Sequence, residues 1–140
     1  MTLETLFKIA GDVVLPGWLL LLFAPGWRWT QRYTSFVVPL LLASLYGWLL
    51  AHGHPPPGAG FGSLEAVRLL FTAPEALLAG WVHYLAFDLF TGAWEARDAA
   101  TRGISRWIVA PCLLLTFMLG PLGLALYLLI RLGMRKVVQA

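Results

Sequence analysis

Apolar residues fill four long blocks of this chain, and polar, aromatic or turn-forming residues separate them. The blocks cover about residues 6–24, 34–51, 74–98 and 107–131. Each is close to the ~20 residues that an α-helix needs to cross the hydrocarbon of a bilayer. The pattern predicts an all-α fold, an integral membrane four-helix bundle that forms a single domain over residues 1–140, with both termini on one side of the membrane.

The segments between the blocks predict the ends of these helices. Aromatic residues and arginines cluster from Trp27 to Tyr33, which is typical of an interfacial belt at headgroup depth. Three prolines follow His54 and indicate a loop. Ser63 then suits the N-cap of a short helix, Leu64 to Phe71, with Glu65 in its first turn. We expect this short helix to lie along the membrane interface.

The last block contains two sites that disturb a helix, Pro111 and Gly120-Pro121. Membrane helices tolerate proline and glycine where neighbouring groups satisfy the freed carbonyls. The block is therefore still predicted as one helix.

Composition supports membrane insertion and excludes a soluble domain. The 140 residues are 59% hydrophobic and 12% charged, with a mean hydropathy of +0.76. A soluble domain carries about 25% charged residues, and one of this size has too little interior for so much apolar surface. The net charge of +3 does not indicate nucleic-acid binding, because the basic residues stand at the block ends, where they meet lipid headgroups.

With four crossings, the basic residues divide evenly between the two sides of the membrane. One side would hold Arg28, Arg32, Arg97, Arg102 and Arg106, and the other would hold Lys8, Arg68, Arg131, Arg135 and Lys136. The basic tail from Arg131 to Lys136 favours cytoplasmic termini. Membrane lipid is the expected partner, and the sequence leaves a homo-oligomer open.

The third block places a histidine and a carboxylate, His83 and Asp88, inside a segment otherwise suited to lipid. A charged group at mid-bilayer costs roughly 2.5–3.5 kcal/mol on insertion scales. We therefore expect the Asp88 side chain to face the bundle interior. His83 lies well round the helix from Asp88, so the two would act from different edges of one cavity, with aromatic walls from Trp81, Phe87 or Phe90.

Four interpretations of this segment stay open on the residues alone. They are general acid–base catalysis, a metal site, ligand binding without chemistry, and a packing role in which Asp88 pairs with a polar partner. A metal site would draw on Asp88, Glu95, Asp98 and His83, and a chain with three histidines is poorly supplied for it. Glu95, Arg97 and Asp98 near the helix end indicate an interfacial charge cluster.

The same residues carry a family resemblance. The pattern Trp81-x-His83-x-Leu85-x-x-Asp88-Leu89-Phe90, followed by Asp98, Cys112-Leu113-Leu114 and Pro121-x-Gly123, resembles the plant neoxanthin synthase family, the abscisic-acid-deficient type four proteins, and their bacterial relatives. The chain is shorter than the plant proteins, so it is most similar to the bacterial branch. The resemblance implies a location in the bacterial inner membrane.

The resemblance also implies a function: binding or isomerising a carotenoid-like polyene. The plant reaction opens an epoxide and removes a ring-adjacent proton, which is redox-neutral and needs an acid and a base but no cofactor and no metal. By this resemblance His83, Asp88 and Asp98 would be catalytic. Aromatic residues of the same block, Trp81, Tyr84, Phe87 and Phe90, are the expected ligand-binding residues. The alternative is a non-catalytic pigment- or lipid-binding or structural membrane protein.

Overall fold

The computed structural model describes the backbone of residues 1–138 and the side chains of residues 1–134. In this part of the chain the fold is all-α, as predicted, with no strand. The helices are α1 (Leu3–Phe23), α2 (Arg28–Arg32), α3 (Val38–His52), α4 (Leu64–Leu70), α5 (Pro74–Thr101), α6 (Arg106–Leu119) and α7 (Pro121–Val138), and a π-helical turn, Tyr33–Val37, joins α2 to α3.

Within the described residues, three helical segments are long and apolar enough to cross a membrane. They are Leu3–Phe23, Arg28–His52 and Pro74–Thr101, with 21, 25 and 28 residues. They correspond to the first three predicted blocks. Helix α5 is the central one, since it packs against α1, α3, α6 and α7.

Small residues on α5 let its neighbours approach closely. A Cβ on Gly92 would stand 2.7 Å from the Trp18 ring of α1, so the two helices meet at van der Waals distance here. Ala93, Ala96 and Ala99 continue the buried face towards the end of α5. Small residues serve this purpose in membrane helices, where dispersion contacts rather than hydrophobic burial drive association.

The short helix is present as predicted, at Leu64–Leu70. The Ser63 hydroxyl accepts a hydrogen bond from the Ala66 N–H at 3.1 Å and caps the helix. The Arg68 guanidinium, 2.6 Å from Glu65, lowers the pKa of that carboxyl below its usual value. The location of α4 at the membrane interface stays a prediction.

The prediction of one helix over residues 107–131 is wrong. Helix α6 ends at Leu119 after 14 residues, and α7 starts at Pro121. Gly120 between them has φ +35°, a left-handed conformation that glycine adopts without a steric penalty. Pro121 adds a second break, because it has no N–H to continue the ladder of α6. The predicted four-helix bundle is therefore not confirmed in the part of the chain that the structure describes.

Helices α6 and α7 form an antiparallel hairpin with its corner at Gly120. A Cβ on Gly123 would collide with the backbone of Thr116, so the two helices touch directly after the corner. Gly120 itself packs on Asp88, and Tyr127 on α7 reaches Asp98. Helix α7 thus runs from the level of Asp88 back to that of Asp98, opposite in direction to α6.

The corner lies at the middle of α5. Asp88 is 14 residues after Pro74 and 13 before Thr101, which places it about 20 Å from each end of that helix. The hairpin therefore enters the helix layer from the Thr101 end and turns back half-way, as a re-entrant segment does.

This hairpin separates the two chain ends. Helix α1 begins beside the start of α5, where the ring centroids of Phe7 and Trp81 are 5.6 Å apart. Helix α7 returns to the opposite end, where Arg131 contacts Asp98. The two chain ends thus lie at opposite ends of the helix layer, which argues against the prediction that both termini share a side of the membrane. We call these two ends of the helix layer the Pro74 end and the Thr101 end.

The hairpin also overturns the even division of basic residues. At the Pro74 end lie Lys8 and Arg68 alone. At the Thr101 end, or beyond it along α7, lie Arg28, Arg32, Arg97, Arg102, Arg106, Arg131, Arg135 and Lys136. The side chains of the last two, which were predicted to reach the headgroups, are outside the described residues. Lys and Arg are enriched on the cytoplasmic side of membrane proteins, so this imbalance favours a cytoplasmic Thr101 end.

We expect the hairpin contact to be sensitive to one methyl group. Gly123→Ala places a Cβ against the Thr116 backbone, and such overpacking costs about 1–3 kcal/mol. Gly133→Ala is the matched control, because a Cβ there meets nothing within 4 Å and the same change should be neutral or stabilising. Thermal unfolding in detergent, followed by circular dichroism, measures both. Equal Tm values for the two variants would contradict the hairpin.

Candidate functional site

The hairpin corner brings Gly120 against the Asp88 carboxylate in the middle of the helix layer. A Cβ on Gly120 would stand 2.7 Å from Asp88 Oδ1. Asp88 Oδ2 is buried, and no hydrogen-bond partner for it lies in the part of the chain that the structure describes. The prediction that Asp88 faces the interior is confirmed. The carboxylate also lies at the N-terminal end of α7, where the helix dipole favours negative charge.

Tyr84 lies one helical turn before Asp88 and connects α5 to the end of α6. Its hydroxyl donates to the Met118 carbonyl at 3.2 Å and lies 3.4 Å from that of Phe117. The last carbonyls of a helix have no intrahelical partner, so Tyr84 satisfies groups that the break at Gly120 leaves open. The hydroxyl of Tyr84 and the carboxyl of Asp88 therefore meet the same corner from adjacent turns.

Glu95 is fully buried between α5 and α6, two turns after Asp88. The Thr116 hydroxyl is its partner, at 3.0 and 3.1 Å from the two carboxylate oxygens. The prediction of an interfacial charge cluster is wrong for Glu95. The seven-residue spacing from Asp88 was the signal for its position, because it puts both carboxyls on one face of the helix.

Asp98 joins α5 to α7 near the Thr101 end. It accepts a hydrogen bond from the Tyr127 hydroxyl at 2.6 Å and from Arg102 Nε at 2.8 Å. Arg131 Nε lies 3.0 Å from the same carboxylate. These contacts hold the returning helix against α5, and they occupy Asp98 with three partners.

His83 lies on another face of α5 from Asp88. Its ring is exposed, 4.5 Å from the Phe87 ring and 5.8 Å from that of Tyr46 on α3. The structure therefore does not bring His83 and Asp88 to one cavity as predicted, and their angular separation on the helix is the reason. Phe87 and Phe90 lie on the outer surface, 61% and 45% exposed, and form no wall around Asp88.

An apolar groove of about 570 Å³ leads from the Pro74 end towards this corner. Its walls come from the start of α1, the residue after α4 and the first half of α5. The lining residues are Leu3, Glu4, Phe7, Phe71, Pro74, Leu77, Leu78, Gly80, Trp81 and Tyr84. The predicted ligand-binding residues Trp81 and Tyr84 thus lie in one groove, and Tyr84 forms its inner end.

The arrangement suits an apolar ligand better than a metal ion. Among the described residues, no three His, Cys, Asp or Glu side chains lie together as a metal site would need. Ligand sites of about 300–1,000 Å³ with mainly apolar walls and a few polar groups are typical of small-molecule binding.

The fold and this site define a class: an all-α membrane protein with a carboxyl at the corner of a helical hairpin, beside an apolar groove. Within this class, residues 5–127 match the model of the ABA DEFICIENT 4-like family. The chain belongs to that family, as its resemblance to neoxanthin synthase predicted. No curated protein and no solved structure matches it.

Proposed function

We propose that this protein binds a carotenoid-like polyene in the groove along α1 and α5 and isomerises it by cofactor-free acid–base chemistry. The observation that carries the proposal is the position of two polar side chains, Tyr84 and Asp88, at and just beyond the inner end of the groove. Tyr84 closes it, and Asp88 follows one turn later, beyond the groove lining, with a buried carboxylate oxygen that has no hydrogen-bond partner among the described residues.

The apolar walls of the groove suit the polyene part of such a ligand. Its lining is apolar except for Glu4 at the Pro74 end and the Tyr84 hydroxyl at the inner end. A polyene would lie along Phe7 and Trp81, whose rings form one aromatic wall, and would present its polar ring to the corner. Phe7, Leu77 and Trp81 in the walls of the groove are exposed on the outer surface of the helices, so a carotenoid dissolved in lipid can enter from the side.

In this proposal Asp88 exchanges the proton and Tyr84 orients the ligand. A carboxyl in an apolar site can donate a proton to an oxygen of the ligand as the neutral acid and accept a carbon-bound proton as the carboxylate. The Tyr84 hydroxyl can turn from the Met118 carbonyl to a ligand oxygen, because both acceptors lie at the same corner.

The two other residues that match the family pattern, Asp98 and His83, have different roles in this proposal. Asp98 holds α7 through Tyr127 and Arg131, which makes it a residue that positions the hairpin rather than one that meets the ligand. His83 faces Tyr46 and α3, so a ligand held in the groove would not reach it. The proposal therefore keeps Asp88 from the family pattern and adds Tyr84.

A groove-filling variant tests the binding half of the proposal. Gly80→Leu adds a side chain inside the groove, where a Cβ would already be 2.6 Å from Phe71 Cε1. We expect it to weaken binding of added carotenoid at least about tenfold, which corresponds to ~1.4 kcal/mol. Quenching of tryptophan fluorescence in detergent measures the affinity.

Gly47→Leu is the matched control, because Gly47 occupies an exposed position of α3 and a Cβ there meets nothing within 4 Å. It should bind carotenoid as the wild type does. Equal affinities for Gly80→Leu and Gly47→Leu would place the ligand elsewhere and reject the groove.

A non-catalytic pigment- or lipid-binding protein is the second candidate. The packing of Asp88 on Gly120 favours it, since a carboxyl at the N-terminus of α7 can stabilise the hairpin without any chemistry. The two candidates share the groove and differ in what Asp88 does.

A further inference from the structure

A second groove, at the Thr101 end, has a different chemical character. It has a volume of about 420 Å³ and lies between the last turns of α1 and the segment from α2 through the π-helical turn. The lining residues are Leu20, Trp27, Trp29, Arg32, Tyr33 and Val37. Cationic and indole groups thus stand at one edge of an apolar floor.

Two arginines of α2 have no carboxylate partner among the described side chains: Arg32 lines this groove, and Arg28 stacks on its lining residue Trp29. Arg28 and Arg32 place their guanidinium carbons 5.3 and 4.9 Å from the Trp29 ring centroid, one turn apart on α2. By contrast, Arg102 and Arg131 pair with Asp98. The positive charges of Arg28 and Arg32 are therefore free to meet an anion.

The walls of the groove are held in place by hydrogen bonds. The Tyr33 hydroxyl donates to the Val13 carbonyl of α1 at 2.7 Å, which fixes the ring that forms the inner wall. The Thr30 hydroxyl donates to the Ala24 carbonyl at 2.7 Å and fixes the corner between α1 and α2. The π-helical turn adds one residue to the helical circuit here, and such turns are frequent at binding sites.

We propose that this groove binds an anionic phospholipid, with the phosphate between Arg28 and Arg32 and an acyl chain along Leu20 and Val37. The pair of unneutralised guanidinium groups matches a phosphate, which arginine binds through two parallel hydrogen bonds. The apolar floor distinguishes a lipid from free phosphate, since it offers a surface only to an acyl chain. The tryptophans lie at the headgroup depth that indole rings prefer.

Native mass spectrometry of the detergent-purified protein tests this site. Phosphatidylglycerol, phosphatidylcholine with the same acyl chains, and inorganic phosphate are titrated separately. We expect phosphatidylglycerol to bind more tightly than phosphatidylcholine, and inorganic phosphate to bind far more weakly than either. The double variant Arg28→Gln with Arg32→Gln should weaken phosphatidylglycerol about 25-fold, since each arginine near an anionic lipid contributes roughly fivefold.

Two further variants complete the test. Arg106→Gln is the matched control, because Arg106 also stacks on a tryptophan, 4.8 Å from the Trp107 ring centroid, but neither Arg106 nor Trp107 lines this groove. It should change lipid affinity less than about twofold. Val37→Trp fills the floor without changing the charge and should also weaken phosphatidylglycerol.

Three results would overturn the proposal. They are equal binding of the two lipids, an equal loss in Arg106→Gln and the double variant, or inorganic phosphate binding as tightly as phosphatidylglycerol. Val37→Trp keeps the test decisive if the double variant does not fold, because unchanged lipid affinity in it would likewise reject the groove.

Discussion

Asp88→Asn should reduce isomerisation of an added epoxy-carotenoid by about 10²–10⁴-fold, the range that a positioned acid or base contributes. The substitution keeps the side-chain volume at the corner and removes the proton that the proposed chemistry exchanges. Because the Asp88 carboxyl packs on Gly120 and its Oδ2 makes no hydrogen bond to any described residue, the amide can replace it without a cavity. Product formation, followed by chromatography, is the measurement.

The control for this prediction is Asp12→Asn, the same chemical change on an exposed position of α1. It should leave the rate unchanged. Folded yield and the helical circular dichroism of Asp88→Asn should match those of the wild type. Full activity of Asp88→Asn would rule out this carboxyl as the acid or base. Loss of folded protein in Asp88→Asn alone would instead support the packing role.

The largest structural effect concerns topology. We expect residues on the Pro74 side and the C-terminus to lie in opposite compartments, because α7 turns back at Gly120. The eight basic residues at or beyond the Thr101 end further favour a cytoplasmic C-terminus. A membrane-impermeant maleimide applied to intact spheroplasts should therefore label Gly60→Cys and leave Gly103→Cys unlabelled until lysis.

A cysteine appended to the C-terminus should behave like Gly103→Cys. All three proteins carry Cys112→Ala, which removes the buried native thiol. Labelling of the appended cysteine together with Gly60→Cys would show that the chain crosses the membrane a fourth time and would reject the re-entrant hairpin. Labelling of Gly103→Cys and the appended cysteine but not Gly60→Cys would keep the hairpin and invert the orientation.

Much of the fold follows from the apolar pattern. The first three blocks have the length and the polar boundaries of membrane helices, and the structure has helices there. The Ser63 cap and the first-turn Glu65 likewise identify α4. The hairpin could not be predicted in the same way, because Gly120-Pro121 in a membrane helix permits a kink or a full reversal. The close approach of Gly123 to Thr116 and the long-range hydrogen bond between Tyr127 and Asp98 decide between them.

The candidate site could also be predicted only in part from the sequence. Helical spacing places Asp88 and Glu95 on one face and His83 on another, and the structure agrees on both points. Which neighbour each face meets depends on how α3 and the hairpin pack against α5, and helical spacing gives no information about that packing. Phe87 and Phe90 therefore seemed as suited to a ligand as Trp81, although Trp81 alone of the three lines the groove.

The visible absorption spectrum of the protein purified from carotenoid-producing cells tests the central claim most directly. We expect wild type and Gly47→Leu to carry the structured absorption of a bound polyene, and Gly80→Leu to lose most of it at equal protein concentration. Wild-type protein without polyene absorption would contradict the proposed function, and equal absorption in Gly80→Leu would contradict the groove.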